Sequence, residues 1–69
     1  MLRNLIKEMA VSKISQEDIA VAINVHRNTV ANKLEGKGKF SVEAAMIIQK
    51  KFFPTLGLGY LFEDANSEP

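Results

Sequence analysis

The amino-acid sequence predicts an all-α domain of five short helices. Apolar residues recur at spacings of three and four in separate windows, which places them on one face of a helix. Residues that start or stop helices punctuate these windows: Ser15, Asn24, Gly36, Ser41 and Pro54. No run alternates apolar and polar residues clearly enough to make a strand.

The first helix is expected over 2–10, with Leu2, Leu5, Ile6 and Met9 on its inner face. Ser15 then offers an N-cap, and Gln16, Glu17 and Asp18 fill the first turn of a second helix over 16–23. Ser-x-x-Asp is a weak form of the capping box, and the acids suit the positive helix start. Ile19, Ala20 and Ile23 face inward, and the small Ala20 lets another helix cross closely. Asn24 can adopt a left-handed backbone and end the helix sharply, with Val25 packing back under the turn.

A third helix is expected over 27–35, held down by Val30 and Leu34. Gly36 stops it, and Lys37-Gly38-Lys39 forms a basic loop. Ser41 caps a fourth helix with Glu43 in its first turn; Val42, Ala45, Met46, Ile48 and Phe52 are its candidate buried surface. Lys50 and Lys51 suit its negative C-terminal end, and Pro54 terminates it. Leu58, Leu61 and Phe62 predict a fifth turn of helix over 57–62, weakened by Gly57 and Gly59. The folded domain is therefore expected over 1–62, and the acidic residues 63–69 are expected to be a disordered tail.

Composition narrows the function classes. A chain of 69 residues forms one domain with a thin core. With no cysteine and a single histidine, His26, neither a disulfide framework nor a Cys/His metal cage is expected. Scattered acids and little room for a deep pocket argue against an enzyme, and no cofactor or small-molecule substrate is indicated. No apolar run approaches a membrane span, and charges interrupt the N-terminal apolar positions, so a cytoplasmic protein is expected. The formal net charge is only +1, but residues 1–62 carry nine Lys/Arg against five acids. Residues 24–40 carry Arg27, Lys33, Lys37 and Lys39 against Glu35 alone. Such local asymmetry suits a negatively charged partner.

Two short helices, a small residue in the first, a tight turn and a polar, basic second helix make the layout of a helix-turn-helix over about 16–35. Here the chain resembles the phage repressors of the lambda repressor and Cro type. The resemblance runs from about 2 to 62. It rests on Ser15-Gln16-Glu17-Asp18-Ile19-Ala20, Thr29-Val30, Gly36-Lys37, Phe40-Ser41-Val42 and Tyr60-Leu61-Phe62 in that order. It departs at Asn24, where the family usually has glycine, and at His26, where it often has Ser or Thr.

The resemblance implies a compact five-helix DNA-binding fold and a transcriptional regulator of phage or prophage type in a bacterial host cell. Gln16 would reach a phosphate, while Arg27, Asn28 and Asn32 would face base edges. The side chains agree with those roles, since Asn pairs bidentately with adenine and Arg with guanine. His26, a poor cap, is a fourth candidate for base contact. Lys33, Lys37 and Lys39 would hold phosphates. The expected partner is double-stranded DNA with a pseudo-palindromic operator, bound by a homodimer at half-sites roughly 34 Å apart. Leu56, Leu58, Tyr60 and Phe62 are candidates for the dimer surface, unless they close the core. The rival reading is a helix-turn-helix module that binds protein, such as an antitoxin or antirepressor-type regulator. The polar outer side of the third helix argues against it.

Overall fold

The computed structural model describes residues 1–64, which form five helices and no strand. They are α1 (Arg3–Ser12), α2 (Gln16–Ile23), α3 (Arg27–Glu35), α4 (Val42–Phe52) and α5 (Leu58–Leu61). The tail expected from 63 onward lies outside the described residues except for Glu63 and Asp64, and Asp64 Oδ1 accepts from the Met1 amine at 3.0 Å.

Local chemistry sets the helix boundaries. At the start of α2 the capping box forms in both directions. Asp18 N donates to Ser15 Oγ at 3.0 Å, and Ser15 N donates to Asp18 Oδ2 at 2.9 Å. Asn24 ends α2 in the left-handed region at φ 61°, and Gly36 ends α3 at φ 96°. Gly36 is needed twice over, because a Cβ there would also stand 3.2 Å from the Met1 nitrogen. Ser41 Oγ accepts from Ala44 N at 3.0 Å and opens α4. One boundary has no counterpart in the expectation. α1 runs on to Ser12 and ends at Lys13, whose φ of 58° is left-handed although lysine gains nothing from that conformation.

One core gathers a face from every helix. Leu5 and Met9 come from α1, Ile19 and Ala20 from α2, and Val30 and Leu34 from α3. Ile48 and Leu61 come from α4 and α5, and Leu2 and Phe53 flank α1 and α4. Full burial of a side chain such as Leu5, Ile19 or Ile48 stabilises by about 1.5–3 kcal/mol relative to exposure. α3 packs on α2 and α1 but, among the described residues, not on α4 or α5. α2 reaches α4, and α5 bridges α4 to α1.

Several expected core positions turn outward. Val25 is exposed rather than tucked beneath the turn; its amide donates to Ala20 O, which secures the backbone instead. On α4, Val42 is 75% exposed and Met46 38%, while Phe53, one residue beyond the helix, is buried. Apolar side chains occur nearly all round α4, so spacing alone leaves its inward phase open. Docking on α2 and α5 selects the Ile48 side. Ile6, Phe52, Leu56 and Phe62 lie half-buried against the core.

Polar contacts tie the last helix down. Asn4 Nδ2 donates to Tyr60 O at 2.9 Å, and Gln49 Nε2 to Leu56 O at 2.9 Å. Tyr60 Oη donates to Glu8 Oε2 at 2.7 Å. That bond holds the phenol in its neutral form, so the Tyr60 pKa rises above its ordinary 10.0; desolvation and the Glu8 charge add to the rise.

Candidate nucleic-acid interface

α3 is fixed from below by Val30 and Leu34 and at both ends by its caps. At its start Asn28 N donates to His26 Nδ1 at 3.0 Å. His26 therefore serves as the cap that its residue type made doubtful. With Nδ1 accepting, the neutral ring carries its proton on Nε2, the nitrogen that stays free to meet a ligand.

Opposite Val30 and Leu34, α3 turns Asn28 and Asn32 to solvent, with Arg27 exposed at its first position. Among the described residues, no side-chain hydrogen bond or ion pair engages Arg27, Asn28 or Asn32. Asn28 contributes only its backbone amide, to the His26 cap. These three side chains thus present a guanidinium and two amides with their hydrogen-bonding capacity unspent. Thr29 and Ala31 are half-buried on the flanks of this face.

Glu35 belongs to the same face, three residues beyond Asn32 and seven beyond Asn28. The sequence counted it only as a charge, although its spacing already put it beside the two asparagines. Its Oε1 lies 3.5 Å from Lys37 Nζ, both side chains being largely exposed. Lys37, expected to hold a phosphate, is thus already engaged.

The remaining expected phosphate contacts divide between two places. Gln16 is exposed at the start of α2 and shares a small cleft of about 180 Å³ with Ala31, Leu34 and Glu35, so it flanks the α3 face. Lys33 and Lys39 go elsewhere. Lys33 is half-buried with Nζ 5.7 Å from the centre of the Phe40 ring, close enough for a cation–π contact. Together with Lys39 it lines a cleft of about 780 Å³ open to Phe40, Val42, Leu58 and Phe62. Phe40 in turn meets Phe62 edge-on at 5.6 Å. Lys33, Lys37 and Lys39, close in sequence, therefore do not make one continuous basic surface.

No group of three or more His, Cys, Asp or Glu gathers to hold a metal ion among the described residues. No helix among them is long and apolar enough to cross a membrane. Compared with known proteins, the chain matches no family model, no curated protein and no solved structure.

Proposed function

We propose that this chain is a sequence-specific DNA-binding transcriptional regulator, with α2 and α3 acting as a helix-turn-helix and α3 lying in the major groove. The observation that carries the reading is that Asn28 and Asn32 are exposed on the outer face of α3, with Arg27 exposed at its first position, and that no side-chain hydrogen bond or ion pair engages the three among the described residues. Polar side chains held on a rigid helix and left without partners suit base edges, which offer matched donors and acceptors. A helix also fits the width of the major groove, and α2, joined to α3 by only Asn24, Val25 and His26, braces it. Gln16, beside α3, suits a phosphate, and Lys37 would take one only where its pair with Glu35 is removed.

In this account Lys33 and Lys39 give general positive potential rather than direct contacts, because they face the cleft beside Phe40. The regulator acts in the bacterial cytoplasm on the nucleoid, as a homodimer on a pseudo-palindromic operator. Its dimensions of 33 × 26 × 22 Å let two neighbouring copies set equivalent helices about one turn of DNA apart.

The rival reading, a module that binds protein, has one observation in its favour: Val42, Met46 and Ile47 are exposed on α4. That surface lies on a different helix from the polar face of α3, so the two readings are separable. Binding to random duplexes across a salt series tests the proposal. A DNA reader loses affinity steeply as salt rises, because counterions released from DNA drive binding. No binding to any duplex, or affinity independent of salt, would favour the protein-binding module.

A further inference from the structure

α4 buries one side and leaves another with an ordered pattern. Ile48 faces the core, while Val42, Glu43, Met46, Ile47 and Lys50 are exposed. At 100° per residue, Glu43 and Lys50 stand two turns apart on nearly the same line, with Met46 to one side and Ile47 to the other. The two charges are separated by roughly 10 Å along the helix, too far to pair with each other. Neither takes part in an ion pair among the described residues.

This arrangement is self-complementary. If a second α4 lies antiparallel across a two-fold axis, the midpoint between 43 and 50 falls between 46 and 47. Glu43 of each copy then meets Lys50 of the other, twice. Met46 of one copy meets Met46 of the other on one side of the axis, and Ile47 meets Ile47 on the opposite side. Two-fold interfaces require this kind of self-matching patch. We propose that α4 is the face on which a second copy of this chain docks, antiparallel, in the Glu43–Lys50 register.

The inference deepens the homodimer part of the proposed function and does not depend on DNA. Among the described residues α4 packs on α2 and α5 and not on α3, so such a pair leaves Arg27, Asn28 and Asn32 free. One helix of 11 residues is about 16 Å long, short for the roughly 1,200 Å² that stable interfaces bury. The pair is therefore weak and dependent on concentration, and an operator that holds two copies side by side would reinforce it.

Both charges also suit the α4 dipole, and charge reversal separates the two roles. Self-association is measured without DNA by sedimentation equilibrium up to about 1 mM chain, with a melting curve for each variant. The wild-type chain should associate. Glu43→Lys and Lys50→Glu alone should each weaken association at least about tenfold, since like charges then face each other twice. An equimolar mixture of these two variants should recover wild-type association, as should the double variant. A dipole role gives no recovery on mixing. Glu43→Gln, gentler on the fold, should weaken association about threefold. A chain that stays monomeric throughout overturns the proposal. Dimers indifferent to all these changes also overturn it, while leaving a homodimer through another surface standing.

Discussion

Glu35→Gln should tighten DNA binding while barely changing the stability of the fold. Glu35 is the one acid on the outer face of α3, beside Asn32 and Asn28, and it holds Lys37 Nζ at 3.5 Å. In a complex its carboxylate would stand among phosphates. At about 7 Å and a water-like dielectric, each phosphate opposes it by roughly 0.6 kcal/mol. One or two such neighbours amount to roughly 0.6–1.2 kcal/mol, or about three- to eightfold in affinity. The substitution also frees Lys37 to take a phosphate, which should steepen the dependence of log affinity on log salt by about 0.9. The side chains of the pair are 70% and 53% exposed, so its loss costs the fold no more than about 0.2–1 kcal/mol. Fluorescence anisotropy with a labelled duplex, titrated between about 50 and 200 mM salt, reads both quantities. Equal or weaker affinity with an unchanged slope would refute the placement of Glu35 and Lys37 at the DNA.

Three further outcomes test the fold that holds this face. Tyr60→Phe should flatten the alkaline limb of stability. The folded pKa of Tyr60 is raised, so the Glu8 bond contributes below the ordinary 10.0 and is lost as pH climbs through the higher folded value. Denaturant midpoints above pH 10.0 in the two proteins check this. His26→Ala should cost about 0.5–2 kcal/mol by removing the α3 cap, and His26→Ser should retain most of it; thermal unfolding distinguishes them. Ile48→Ala should cost about 2–5 kcal/mol, because the side chain is fully buried in a core too thin to refill the space, and urea unfolding measures it.

The helix ends were legible because each depends on one residue acting over three or four positions. Ser15 and Ser41 reach the amide three residues on, and Asn24 and Gly36 accept a left-handed backbone. What stayed hidden depends on how helices dock. α4 has apolar residues on several sides, and only contact with α2 and α5 decides that Ile48 and Phe53 go inward while Val42 and Met46 stay out. The same holds for the basic residues. Lys33 reaches Phe40 across a turn, and Lys37 folds back on Glu35, so neither orientation follows from helical spacing. Asn28 and Asn32 were the readable part of the candidate site, since a spacing of four on a helix with Val30 and Leu34 inside leaves them nowhere else to point.

The central claim, that α3 reads bases, is tested most directly by Asn32→Ala on the duplex that the wild-type chain selects from a random pool. Asn32 is exposed and its side chain makes no hydrogen bond or ion pair among the described residues, and its carbonyl, which accepts from Lys37 N, is kept in alanine, so the variant should fold as before. A loss of about 1–3 kcal/mol on the selected duplex is expected, together with relaxed choice at one base pair. Unchanged affinity and unchanged choice at every position would contradict it.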